Sequence, residues 1–143
     1  MEITEQRGVA AIEFAIVLPL LVLLLFGIIE FSVLLYDKAV ITNASREGAR
    51  AGIVFVDQNP CGPSDAEIIN VIQSYCSNYL ITFGAATTPT TTIARSGCTV
   101  GDSLTVTVRY QYNFLIIPNL TFYGAGFPGG INVQAQTVMR LER

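Results

Sequence analysis

Glu13 stands five residues after Gly8, at the opening of the one strongly apolar stretch of the chain. A carboxylate embedded in a membrane-length helix costs about 2.5–3.5 kcal/mol on insertion scales, so it must reach water or meet a cation. A second carboxylate, Glu30, follows seventeen residues later, about 25 Å along a helix. That distance places it at the far membrane face, as an interfacial carboxylate. Little else in the chain could do chemistry. There is no His and a single Lys, Lys38, so the commonest general base and metal ligand is missing. Asp57, Asp65, Glu67 and Asp102 are scattered over loops and a helix cap, with no catalytic constellation. Residues 124–129 (GAGFPG) mimic a phosphate loop, but they carry a Pro and open no helix.

The elements that must position these carboxylates are legible from hydropathy. Phe14 to Ile29 is sixteen residues without a charge or a hydrogen-bonding side chain. Val9–Tyr36 supplies the roughly 20 apolar residues that a spanning helix needs. A signal peptide would show a basic leader, a shorter apolar run and a small-residue cleavage site. Here the leader is MEITEQR, and Glu30, Phe31, Tyr36 and Asp37 follow the run, so a retained helix is expected. Charged residues are only 13% of the 143, and the formal net charge is −3. With 51% apolar residues the chain is too hydrophobic for disorder, and its negative balance argues against a basic nucleic-acid binder.

Beyond the membrane segment, Asp37–Arg143 holds seven acids and seven bases, enough chain for one small domain. The first helix is expected to continue through residues 37–56, with Ile41, Ala44, Gly48 and Gly52 forming a small-residue packing stripe. Pro19 removes one backbone hydrogen bond, to the Ala15 carbonyl, and is a candidate kink. Arg46, Glu47 and Arg50 form the polar face, either solvated or placed for a salt bridge between subunits, with a carboxylate such as Asp37. The turn-rich DQNPCGP at 57–63 ends that helix. Ser64 and Glu67 fit a capping box, opening a second amphipathic helix over Asp65–Leu80. Thr87–Ile93 reads as a modest strand; Leu104–Tyr112 and Ile131–Leu141 alternate strictly and read as strong ones. Phe114–Gly130, rich in Gly and Pro, reads as a long loop or a contact surface. The fold class is thus α+β: a long helix, a short helix and a three-stranded antiparallel sheet. If the head lies outside the cytosol, one disulfide is expected from the three cysteines. Cys61–Cys98 with Cys76 buried and free is preferred over Cys61–Cys76; the spacing is no zinc motif.

The residues at the start of the chain resemble a known pattern. Arg7-Gly8 followed by Val9-Ala10-Ala11-Ile12-Glu13-Phe14-Ala15 is similar to the processing site of type IV prepilins. Leu18-Pro19-Leu20, Gly27-Ile28-Ile29-Glu30 and Asn43-Ala44-Ser45-Arg46-Glu47-Gly48-Ala49-Arg50-Ala51 extend the resemblance to the TadE-like pseudopilins of tight-adherence (Flp) pilus systems. It is continuous over Arg7–Ala51 and weakly resumes at Met139-Arg140-Leu141-Glu142.

The resemblance implies a pilin-like arrangement and cleavage after Gly8 by a prepilin peptidase, freeing the Val9 amine. Glu13 would pair with that amine on a neighbouring subunit, offsetting the cost of two lone charges in hydrocarbon and fixing register. Phe14, Pro19, Glu30, Arg46 and Arg50 are further candidates for contacts between subunits, and Pro19 for a segment that melts on extraction from the bilayer. The expected divisions are a leader at 1–8, a transmembrane helix at 9–36, its amphipathic continuation at 37–56 and an extracytoplasmic head at 57–143. The expected partners are other pilin-like subunits, the peptidase, an inner-membrane assembly platform and the lipid bilayer, with no nucleic acid and no cofactor. Lys/Arg counts alone favour the opposite orientation, since Lys38, Arg46 and Arg50 follow the helix and only Arg7 precedes it. A cytoplasmic N-terminus at the bacterial inner membrane is what the resemblance implies. The expected function is a non-enzymatic assembly subunit; the alternative is an uncleaved single-pass accessory protein of a secretion or envelope machine.

Overall fold

The computed structural model of the chain describes residues 2–54, 61–83, 88–115 and 130–141. In chain order the elements are α1 (Glu2–Gly52), α2 (Asp65–Tyr79), β1 (Thr90–Arg95), β2 (Ser103–Tyr112) and β3 (Ile131–Arg140). The sheet is antiparallel with order β1-β2-β3. This is the α+β, pilin-like arrangement of a long N-terminal helix, a second helix and a three-stranded sheet.

α1 runs unbroken for 51 residues, about 77 Å, with Pro19 inside it. Its two halves differ in what they touch. From Val9 to Ile29 every large apolar side chain is at least 37% exposed. From Glu30 onward one stripe is buried: Glu30, Leu34, Asp37, Ile41, Ala44, Gly48 and Gly52. These recur every three or four residues, so they share one face of the helix. Packing against the head therefore begins at Glu30, seven residues before the expected start of the amphipathic continuation.

α1 ends at Gly52 rather than running to 56. Gly62 (φ +75°) returns to this end so closely that a Cβ there would lie 2.9 Å from the Gly52 carbonyl oxygen. Only glycine takes both the left-handed backbone and that approach. Val56 and most of the DQNPCGP turn lie outside the described residues. The capping box of α2 is present: Ser64 and Glu67 bond reciprocally, with the Ser64 N–H donating to Glu67 Oε2 at 2.8 Å. α2 stops at Tyr79 because Leu80 turns extended as its C-cap, its N–H still bonded to the Cys76 carbonyl.

β1 starts at Thr90, just past Pro89, which has no N–H for the ladder; Thr87, where the pattern opens, lies outside the described residues. The strand runs on to Arg95, which pairs with Leu104. β2 alternates as the pattern requires: Leu104, Val106, Val108, Tyr110 and Tyr112 are buried against the helices. β3 runs in register with it, from Ser103 opposite Arg140 to Tyr112 opposite Ile131. Residues 116–129 of the expected Phe114–Gly130 loop lie outside the described residues.

The core lies between the sheet and the two helices. Ile41, Ile68, Ile72, Leu104, Val106 and Val108 are fully buried there. Each such side chain contributes about 1.5–3 kcal/mol. Gly48 and Gly52 let α2 and β2 approach α1: a Cβ on Gly48 would meet Ile72 Cδ1 at 2.5 Å, and one on Gly52 would meet Leu104 Cδ2 at 2.5 Å. Their weak helix propensity, about 1 kcal/mol each against Ala, is offset by this close packing.

Candidate functional site

The residues singled out at the N-terminus all lie on the uncovered half of α1. Val9 is 58% and Phe14 63% exposed, and Gly8, Glu13 and Pro19 are exposed as well. Apart from the backbone of its own helix and its chain neighbours, no described atom stands within 4 Å of where a Cβ on Gly8 would be. From Gly8 to Ile29 is 22 residues, about 33 Å at 1.5 Å per residue. A bilayer core is about 30 Å thick, so the part of α1 that the head leaves bare is long enough to cross it. It is the one helix among the described residues that is long and apolar enough to do so.

Glu30 follows directly on the bare segment, and its side chain turns away from the surface. It is 3% exposed and faces the protein's own head. The Leu115 N–H donates to its Oε1, and the Tyr112 hydroxyl donates to its backbone carbonyl at 3.3 Å. The reason is register: Glu30 lies seven residues, two helical turns, before Asp37 on the buried stripe.

The sequence offers Asp37 as a salt-bridge partner for arginines of another subunit. It is fully buried and unavailable for that. Its Oδ1 accepts the Ile81 N–H at 3.0 Å, just past the end of α2. Its Oδ2 is buried and unpaired among the described residues. Burial pushes its carboxyl above the usual range, against the smaller opposing pull of the Ile81 N–H. Thus two carboxylates on one helix face each hold a backbone amide of a different head segment. Tyr112 lies over them, and burial, followed by the charges of Glu30 and Asp37, pushes its hydroxyl up to about 12.

Other contacts fix the head to α1 and to itself. The Lys38 ammonium donates to the Gln134 carbonyl on edge strand β3. Ser45 Oγ lies 2.7 Å from Thr137 Oγ1 on the same strand. Arg95 on β1 pairs with Asp65 at the start of α2 and donates to the Pro63 carbonyl at 2.9 Å. Cys61 and Cys98 form a disulfide, while Cys76 is buried and free, its thiol pushed up to about 11 by burial. Such a thiol is inert. The signal for the Glu30–Asp37 arrangement was present in the sequence as a seven-residue spacing across Leu34. Nothing in the sequence showed that irregular segments of the head would supply the amides.

Arg46, Glu47 and Arg50 are exposed on α1, away from the buried stripe. Among the described residues no group of three or more metal-ligating side chains comes together.

The fold and these surfaces define a pilin-like α+β protein: one long helix, bare and apolar for a membrane's thickness, carrying a small head on its other half. A family model described as TadE-like protein matches residues 8–50, so over that stretch the chain is similar to TadE-like proteins. The match covers the whole bare segment and the head-bearing stripe almost to the end of α1. No curated protein and no solved structure matches the chain.

Proposed function

We propose that the protein is a non-enzymatic structural subunit, a minor pilin or pseudopilin, of a tight-adherence pilus. A prepilin peptidase matures it after Gly8, and the bare half of α1 then packs with the helices of other pilin-like subunits. The observation that carries this reading is the coincidence of the TadE-like match at 8–50 with an exposed apolar helix that opens on Gly8, Val9 and Glu13. A helix covered by its own head could not be shared with neighbours; this one is uncovered over about 33 Å.

In this reading residues 1–8 are a leader on the cytoplasmic side and the head is extracytoplasmic, at the bacterial inner membrane or in a filament drawn from it. Glu13 is exposed one helical turn from Val9. Free of the leader, the Val9 amine of one subunit neutralises Glu13 of the next within hydrocarbon. Phe14 and Pro19 lie on the same bare surface and pack between subunits, whereas Glu30 serves the protein's own head. Arg46 and Arg50 contact a neighbouring subunit above the membrane. The partners are other pilin-like subunits, the peptidase and the inner-membrane assembly platform.

Intact mass and N-terminal sequence of the protein from membranes, with and without the peptidase, test this. A chain beginning at Val9 only when the peptidase is present is the expected result. A chain beginning at Met1 in both would remove Glu13's partner amine and leave an uncleaved single-pass accessory protein.

A further inference from the structure

The open face of α1 stays apolar past the point where the head begins. Phe31 is 57%, Leu35 54% and Tyr36 45% exposed. Ser32 Oγ donates to the Ile28 carbonyl at 2.7 Å, so its polarity is met inside the helix. The one carboxylate of this stretch, Glu30, is turned into the head. Asp37 is buried, and the next charge along the helix is that of Lys38. Phe31 to Tyr36 covers about 8 Å of helix. The headgroup layer that flanks a bilayer core has a similar depth, roughly 5–8 Å on each side.

The base of the head stands at this same level, and two hydrogen bonds fix it there. The Leu115 N–H donates to the Glu30 carboxylate and the Ile81 N–H to that of Asp37. α2 descends along α1 toward this end: a Cβ on Gly52 would meet Ile68, one on Gly48 would meet Ile72, and Ile81 reaches Asp37. Phe83 follows within about 7 Å of Ile81, since two residues span no more. Leu115 is 53%, Phe83 50% and Ile81 38% exposed. Phe83 takes φ +47°, where a bulky residue is an outlier, and stays outside the core. Neither segment carries a charge: residues 80–83 are LITF and residues 110–115 are YQYNFL.

Large apolar side chains from two separate segments of the head and from the open face of α1 thus share one level, directly above the bare helix. Their height sets what covers them. The 22 residues from Gly8 to Ile29 are long enough to cross the hydrocarbon core, so this level falls where hydrocarbon meets headgroups. That zone accepts apolar side chains with polar, uncharged neighbours, here Thr82, Gln111 and Asn113. Tyrosine is enriched there, as Tyr36 illustrates.

We propose that the base of the head, through Phe83, Leu115 and Ile81, is seated in the lipid interface of the membrane that α1 crosses. The head then stands in the bilayer surface rather than clear of it. Glu30 and Asp37 hold the amides of the two segments that enter lipid, and the seated head keeps the Glu30 carboxylate from facing hydrocarbon. The contact sets the depth and tilt of the head in the membrane. It rests on the membrane-anchored reading given above, and adds to the spanning helix a lipid-binding surface on the head itself.

The chain has no Trp, so a single introduced Trp reports on its own site. Full-length Phe83→Trp, Leu115→Trp, Leu21→Trp and Val100→Trp variants are each reconstituted into phosphatidylcholine vesicles, with ordinary or brominated acyl chains. Leu21 lies in the bare helix. Val100 is exposed just before β2, whose Leu104 reaches Gly52, so it marks the far end of the head. The expected result is that bromolipid removes about half or more of the emission of Leu21→Trp, Phe83→Trp and Leu115→Trp, and leaves Val100→Trp unchanged. One free thiol per chain, with the Cys61–Cys98 bridge intact, shows that the head has folded in each variant. Quenching of Leu21→Trp with none of Phe83→Trp or Leu115→Trp would overturn the seated head and leave the anchored subunit standing. Emission of those two that is blue-shifted but unquenched would put protein against the base of the head, and would also overturn the lipid contact. Absence of quenching in all four, Leu21→Trp included, would overturn the membrane placement itself.

Discussion

Asp37 carries an electrostatic cost that the head must offset. Its carboxyl is raised above its ordinary value of 3.8, first by burial, with the Ile81 N–H pulling the other way. The folded state therefore holds the proton more tightly than the unfolded chain does. Its contribution is fully present below the unfolded value and is lost as pH rises through the raised folded one. Asp37→Asn keeps an acceptor for the Ile81 N–H and removes the charge. The expected outcome is a weaker fall in stability from about pH 4 to 7 than in the wild type, read as the denaturant midpoint of the full chain in detergent. Asp37→Ala strands the buried amide instead and should cost about 1–3 kcal/mol at the acid end of that range, where the wild-type carboxyl is protonated. A wild-type midpoint that rises with pH, with no difference in Asp37→Asn, would contradict the assignment.

At the scale of elements, α1 is one helix serving two environments, and its glycines divide accordingly. Gly48 sits where Ile72 presses on the helix, whereas a Cβ on Gly27 would meet nothing within 4 Å beyond its own helix backbone and chain neighbours. Gly48→Ala gains about 1 kcal/mol of helix propensity but overpacks the α1–α2 contact by about 1–3 kcal/mol. Head stability should therefore fall, or at best hold level, in Gly48→Ala, while Gly27→Ala leaves it unchanged. Thermal unfolding of the two variants followed by near-ultraviolet dichroism of the tyrosines separates them. Equal, clear losses in both would place the effect in the helix itself and not in its packing. The small-residue stripe was readable in the sequence as a packing face. That its partners are Ile68, Ile72 and Leu104 of the same chain was not, because a close-approach surface looks the same whether it meets its own head or another subunit.

At the scale of the whole molecule, the head is small and is stapled. The Cys61–Cys98 bridge joins the segment after α1 to the segment between β1 and β2, over a sequence separation of 37. Closing a loop of that length restricts the unfolded chain, and replacing both cysteines by Ser should cost about 2–4 kcal/mol. The measurement is the denaturant midpoint of the double variant against wild type in detergent. In the proposed reading the same change should leave cleavage after Gly8 untouched, since Gly8 lies at the opposite end of α1 from the bridge. A double variant as stable as wild type would show that the helix–sheet core alone holds the head.

Local physics settled the elements in advance. The apolar run, the capping box at Ser64 and Glu67, and the period-two alternation of β2 and β3 depend on neighbours three or four residues away, or two. Such patterns survive in a one-dimensional string. The proposed roles of Gly8, Val9 and Glu13 rest instead on the resemblance of their spacing to a prepilin processing site. Tertiary structure decided what the string leaves open. It turned Glu30 inward onto Leu115 and Tyr112, buried Asp37 under Ile81, and chose Cys98 as the partner of Cys61. Each of those outcomes joins residues distant in sequence. Which side of a helix a head will cover is fixed by the packing of all its elements together, and no single segment records it.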